Sequence, residues 1–245
     1  MQALRLKGEK QLADQTAGLK DEEVTELSLA YSHIDLATLA KYVKLGRIML
    51  IAMVPKLTSL TSFPFEQLKF TLQVLDLSDN GLTELPDTFV FPSLRRLSLA
   101  NNQIKSMDSI LPALIKCYNL HKSESEKNDD ECRLTAFIGL VSLDLSENPV
   151  KAATTGTASE EFGPGPEAFY RQTVFSALPT LLALDEKNRF GMDIDVISDE
   201  EAEYEDTDEE GSVYSDEEEE EEKGEEGAKV TDEPITKKHR PEDAP

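Results

Sequence analysis

The chain has 245 residues and carries 49 acids against 25 bases, a formal net charge of −24. The charge is lopsided: residues 193–245 hold 24 acids and 5 bases, residues 1–192 hold 25 and 20, so a domain of ordinary composition precedes a polyanion with little to bury. That balance argues against nucleic acid as a direct ligand, because phosphates are repelled.

Residues 1–23 mix Lys, Glu, Gln and Ala with a few Leu. They predict a short helix that closes one end of a repeat stack, with a frayed terminus as the alternative over the first ten residues. Residues 24–34 place Leu27 and Leu29 two apart, between Val24 and Ile34, with Ser32 five residues after Leu27. In a strand, residues two apart leave the same face. Residues 45–55 repeat this weakly through Leu45, Ile48 and Leu50, with Met53 in place of Ser32. Leu57, Leu60 and Phe63 then read as the return along the outer side. Residues 72–82 are the best copy and fit L-x-x-L-x-L-x-x-N-x-L at every fixed position, through Leu72, Leu75, Leu77, Asn80 and Leu82. Residues 94–104 and 140–150 are two more copies, with Asn102 and Asn148 at the polar position. The asparagine has donors and acceptors to satisfy backbone groups where the chain leaves each strand.

The spacing tells where repeats sit. Leu27 and Leu75 are 48 residues apart, room for the degenerate copy between them. Leu75 and Leu97 are 22 apart, but Leu97 and Leu143 are 46 apart. Residues 123–131 (SESEKNDDE) have no apolar side chain, which predicts an exposed insertion there after a helix over 111–120. Residues 152–158 and 163–166 read as loop. Tyr170, Val174, Phe175 and Leu178 make a helix face that Pro179 ends, and Leu181 and Leu184 predict a closing strand. The fold class is α/β: a short leucine-rich-repeat solenoid with a parallel sheet on its concave face, capped at both ends. The domain spans residues 1–190, with the second cap at 169–185, and residues 191–245 form a disordered acidic tail.

Three features now coincide: about five repeats, the stretch Tyr170-Arg-Gln-Thr-Val-Phe…Leu-Pro-Thr-Leu…Leu-Asp185, and an acidic tail ending in Lys237-Lys238-His239-Arg240-Pro241-Glu242-Asp243. Together they resemble the acidic leucine-rich nuclear phosphoprotein family. The resemblance implies a non-enzymatic nuclear protein, shuttling to the cytoplasm, that binds core histones and other basic proteins, restrains histone acetylation and regulates chromatin. It also implies inhibition of protein phosphatase 2A through its catalytic subunit. The insertions at 123–131 and 152–166 are longer than the family pattern, and the tail is shorter. A ribonucleoprotein scaffold is a further alternative, weakened because a scaffold has no need of the polyanion.

The candidate partner surface is the concave face, where the residues between the core leucines point outward: Glu26 and Ser28; Val74, Asp76 and Ser78; Arg96 and Ser98; Ser142, Asp144 and Ser146. It reads as mildly acidic and lined with small residues. The candidate histone-binding segment of the tail includes Glu209, Glu210, Asp216, Glu217, Glu218, Glu219, Glu220, Glu221 and Glu222. Ser198, Thr207 and Ser215 each precede a run of acids and suit an acidophilic kinase of the casein kinase 2 type. Lys237, Lys238, His239 and Arg240 form a candidate nuclear import signal for an import receptor. His33, His121 and His239 stand in unrelated contexts, and no catalytic motif is present. Cys117 and Cys132 lack the spacing of a metal site or disulfide framework, so no cofactor is expected. With no basic start followed by an apolar run, and no apolar stretch long enough to span a bilayer, the chain reads as a soluble intracellular monomer.

Overall fold

The alternation of leucines sets the architecture. Among the described residues, six strands form one parallel sheet in chain order: β1 (Glu26–Ala30), β2 (Arg47–Ile51), β3 (Val74–Asp76), β4 (Arg96–Ser98), β5 (Ser142–Asp144) and β6 (Ala183–Leu184). The computed structural model describes residues 2–125, 139–154, 156–163, 165 and 167–194, without the side chains of 120–125. The chain divides between Ala202 and Glu203, and every described residue lies in the first unit. Leu27 and Leu29, Ile48 and Leu50, Leu75 and Leu77, Leu97 and Leu99, and Leu143 and Leu145 are all buried. One aliphatic pair from each of the first five repeats thus faces the same interior, and burying a leucine or isoleucine is worth about 1.5–3 kcal/mol. The fold is the short leucine-rich-repeat solenoid that the spacing predicts.

The asparagines hold neighbouring turns together. Asn80 Nδ2 donates to the carbonyls of Leu50, Leu77 and Ser78 at 2.7–3.0 Å. Its Oδ1 accepts from the amides of Met53 and Leu57 at 3.2 and 3.1 Å. Asn102 repeats this one turn on, bonding Leu77, Leu99 and Ala100 carbonyls and the Leu82 amide. Asn148 does the same with Leu99, Leu145, Ser146 and Ile104. Each asparagine follows a residue in the left-handed region: Asp79 (φ 59°), Asn101 (φ 51°) and Glu147 (φ 56°). That turn costs about 1–2 kcal/mol for an L-residue, and it directs the next side chain inward. Tyr31 (φ 52°) and Ala52 (φ 49°) make the same turn before Ser32 and Met53. There the polar link is missing: Ser32 Oγ is buried without a partner, and Met53 is apolar.

Both ends are covered. Helix α1 (Gln2–Gln15) lies on the outer edge of β1. It buries only Gly8 and Leu12 and holds the edge through side chains. Gln15 donates to the Ser28 carbonyl (2.5 Å) and accepts from the Ser28 amide (2.7 Å), copying a neighbouring strand. Gln11 and Lys7 donate to the carbonyls of Ala30 and Tyr31. Gly8 permits this approach, since a Cβ there would lie 2.2 Å from the His33 carbonyl oxygen. At the other end, α5 (Ala168–Ala177) buries Tyr170, Val174 and Phe175. The intervening helices are α2 (Phe65–Leu68), α3 (Leu111–Ser125) and α4 (Pro149–Ala153). No described helix is long and apolar enough to cross a membrane.

The long gap between Leu97 and Leu143 hides no repeat, because β4 pairs directly with β5 through Leu97 and Leu143. Helix α3 outruns the 111–120 expected and takes in the first three residues of the 123–131 insertion; residues 126–138 lie outside the described ones. The loop expected at 152–158 is entered by α4, and its neighbour carries a short turn, Glu160–Phe162, with Phe162 buried. The closing strand is Ala183–Leu184, with Leu181 buried just ahead of it. A cluster of Phe63, Phe65, Phe89 and Phe91, with ring centroids 5.1–6.2 Å apart, fills the outer side. Buried Cys117 on α3 seals it, accepting from the Phe91 amide at 3.3 Å.

Replacing Asn80 with Ala removes five hydrogen bonds to backbone groups, of which the Leu77 and Ser78 carbonyls keep Asn102 and the Ala52 amide as donors, and should lower unfolding stability by about 3 kcal/mol. Ser32→Ala should change it by less than about 0.5 kcal/mol. Denaturant unfolding checks both, and equal losses would contradict the ladder's role.

Candidate functional site

Strand register arranges the concave side chains in rows. The row nearest the strand starts runs Glu26, Arg47, Val74, Arg96, Ser142 and Ala183. The next row runs Ser28, Met49, Asp76, Ser98 and Asp144. Adjacent strands lie about 4.8 Å apart, so Arg47 and Arg96 stand about 9.6 Å apart across Val74. The face is therefore zoned rather than evenly acidic: past Glu26 at the β1 edge, arginines mark the leading row and carboxylates the following one. Asp76 accepts from the Ser78 amide at 2.9 Å and from the Ser78 hydroxyl, which also contacts Ser98 Oγ. Asp144 accepts from the Ser146 amide at 2.9 Å. These bonds fix the orientation of both carboxylates.

A cavity of about 530 Å³ occupies the middle of this face. It brings together Asp76, Arg96, Ser98, Ser142 and Asp144 from the sequence-derived set. Ser78 and Ser146 sit just past their strands, and Glu26 and Ser28 lie on the outermost strand, away from the cavity. The sequence reading missed Arg47 and Met49, which line the cavity from β2. Their signal was present in the alternation of residues 47–51, but it was masked by Met53 in the asparagine position. Also missed was the far wall, Glu186, Asp193 and Ile194. Those residues belong to a hairpin-like return in which the Ile194 amide donates to the Glu186 carbonyl at 2.9 Å and Lys187 lies 3.5 Å from Asp193. The candidate residues of the tail, from Ser198 through Arg240, lie outside the described residues.

The wall is anchored by a buried acid. Asp185 accepts from the Leu145 amide (2.8 Å) and the Tyr170 hydroxyl (3.1 Å), with Lys151 Nζ at 3.7 Å. Burial pushes the Asp185 carboxyl above its usual range, against the opposing pull of the Leu145 amide and Lys151. Burial, with Asp185 beside it, also pushes the Tyr170 phenol up. The pairing of Tyr170 with Asp185 gives a physical reason for their joint presence in the cap: each satisfies the other's buried polar atom. Among the described residues no group of His, Cys, Asp and Glu could hold a metal ion.

Residues 71–122 match a family model for leucine-rich repeats in two copies. Over 87 residues the chain is 37% identical to the mouse (Mus musculus) leucine-rich repeat serine/threonine-protein kinase 1. The alignment takes in 35% of this chain and 4% of that kinase, so the chain spans a small part of its relative's length. The chain thus carries leucine-rich repeats, a module typically used for binding proteins rather than for catalysis.

The raised Asp185 carboxyl has a measurable consequence. A carboxyl whose folded pKa lies above its unfolded value contributes stability that is full below about pH 3.9 and is lost as pH rises through the folded pKa. Relative to Asp185→Asn, the native chain should gain stability as pH falls from neutral through that window. Thermal melts across pH check this, and a difference that stays flat or shrinks on acidification would contradict it.

Proposed function

We propose that this chain is a non-enzymatic nuclear protein that captures core histones and other basic proteins and so regulates chromatin. The observation that carries the reading is the charge partition: 24 acids against 5 bases in residues 193–245, including seven consecutive acids at 216–222. A run of that density exceeds what solubility asks for, and it attracts Lys- and Arg-rich chains by long-range complementarity. The repeats supply the second element, a concave face with Asp76 and Asp144 on one row and a cavity large enough for a side chain or a short segment. Repeat stacks commonly bind partners on that face. In this reading the tail supplies reach and charge, while the solenoid supplies shape. The resemblance to the acidic leucine-rich nuclear phosphoproteins points the same way, and the terminal Lys237–Arg240 cluster would bring the chain to the nucleus through an import receptor.

Phosphorylation at Ser198, Thr207 and Ser215 would add about −1.5 to −2 charges each and deepen the polyanion. Intact-mass measurement of the protein from cells should find these residues modified by an acidophilic kinase; an unmodified tail would count against that part.

The binding itself is tested by pulling down core histones across a salt series with the full chain and with a chain ending at Ile194, which keeps the Glu186–Ile194 return. Capture should weaken steeply with salt, since exposed charges are screened beyond about 8–10 Å at physiological ionic strength. It should collapse in the shortened chain. Undiminished, salt-insensitive capture by the shortened chain would refute the reading. Inhibition of protein phosphatase 2A retained by the shortened chain would instead favour the enzyme-inhibitor alternative, with the concave face as its docking surface.

A further inference from the structure

We propose that the leading flank of the second to fourth repeats is a docking surface for an acidic polypeptide segment that carries one bulky apolar residue. The flank is the set of chain segments that climb into β2, β3 and β4. Residues 41–47, 69–74 and 92–98 contain Lys41, Lys44, Arg47, Lys69, Arg95 and Arg96 and no Asp or Glu. In a chain of net charge −24, this is a local reversal of sign, and the fold assembles it. A ladder of backbone bonds, Gly46 amide to Thr25 carbonyl, Gln73 amide to Gly46 carbonyl and Arg95 amide to Gln73 carbonyl, each 2.8 Å, stacks the three segments in register. Cations far apart in sequence therefore stand one or two strand spacings apart.

The same flank presents apolar groups that the core does not use. Phe70 is 64% exposed and Val43 is 48% exposed. Each lies four residues ahead of its strand, Val43 before Arg47 and Phe70 before Val74. Lys69 Nζ sits 5.4 Å from the Phe70 ring centroid. Between Lys44 and Gln73 runs an open groove of about 530 Å³, floored by Gly46 and Val74. Carboxylates also lie close by: Asp21, 3.2 Å from Lys41, Glu26 on the β1 side of the groove, and Asp76 and Asp144, which share the concave cavity with Arg47 and Arg96. None belongs to the segments that carry Lys44, Lys69 and Arg95.

Charge density selects polypeptide over nucleic acid. An extended chain places side chains on one face about every 6.6–6.8 Å, so carboxylates can meet Lys44, Lys69 and Arg95 while the whole-molecule repulsion stays modest. A duplex carries a charge about every 1.7 Å of its axis, and a chain of charge −24 opposes it far more strongly. The exposed phenylalanine fits an apolar side chain in the acidic segment, a demand that a charged surface alone does not make. This surface would take partners of opposite sign to those proposed for the tail, and it does not depend on that reading.

The test uses the full chain and fluorescence anisotropy with three short labelled probes: a Glu-rich peptide with one central Phe, the same peptide with Ser for Phe, and an RNA duplex. The native chain should bind the Phe-containing peptide best. Lys44→Glu combined with Arg95→Glu should weaken that binding by about tenfold or more, and Phe70→Ser by about fivefold. All three positions are exposed or half-exposed, and unchanged melting curves would show that the variants fold. Capture of core histones by these variants should be undiminished, which separates this surface from the tail. No binding of the acidic peptide, equal binding by the native and doubly substituted chains, or RNA binding tighter than the peptide would each overturn the proposal.

Discussion

The buried asparagine at the end of each strand is the constraint on which the rest of the structure depends. A strand that ends inside a stack leaves amides and carbonyls without partners, and burying one unmade hydrogen bond costs about 1–3 kcal/mol. Asn80 bonds five backbone groups at once, and Asn102 and Asn148 bond four each, with the Leu77 and Leu99 carbonyls shared between successive asparagines. The side chain can reach them only because the preceding residue adopts a left-handed turn. That turn fixes the direction in which the chain leaves the concave face, and so fixes which residues remain on it. Where the asparagine is absent, at Ser32 and Met53, other groups hold the edge. Gln15 of α1 then supplies the paired donor and acceptor for Ser28. The first cap is thus held more by hydrogen bonds than by apolar area.

With the backbone fixed in this way, charge can be sorted by position. The register brings Arg47 and Arg96 into one row and Asp76 and Asp144 into the next. A body with 25 acids and 20 bases over residues 1–192 therefore presents surfaces of both signs. Residues 193–245 add acids in large excess over bases. The proposed division follows from this: a rigid solenoid offers geometry, and a charged extension offers long-range attraction. Asp185 anchors the last part of the solenoid. It binds the Leu145 amide and the Tyr170 hydroxyl, and the chain then turns at Glu186 to build the cavity wall.

Much of the fold was legible because leucines two apart and an asparagine three beyond them make a pattern with few other uses. Residues 72–82 set the repeat pattern, and the copies at 94–104 and 140–150 carry it across the long gap. The second repeat was harder to read. Met53 hides the asparagine position, so Arg47 and Met49 were left out of the candidate face although β2 supplies both. The phenylalanine cluster of Phe63, Phe65, Phe89 and Phe91 was also missed, because its members come from two repeats and only the fold juxtaposes them. The return through Asp193 and Ile194 was hidden by composition: its acids read as the start of the tail, while its contacts belong to the cap.

The central claim is that the acidic residues 193–245, and not the concave carboxylates, supply the electrostatic attraction for basic partners. The most direct measurement is the slope of log affinity against log salt for a lysine-rich histone tail peptide, compared between the native chain and an Asp76→Asn, Asp144→Asn variant. The account predicts the same slope for both, with at most a small uniform loss of affinity in the variant. A markedly shallower slope in the variant would contradict it and place the attraction on the solenoid.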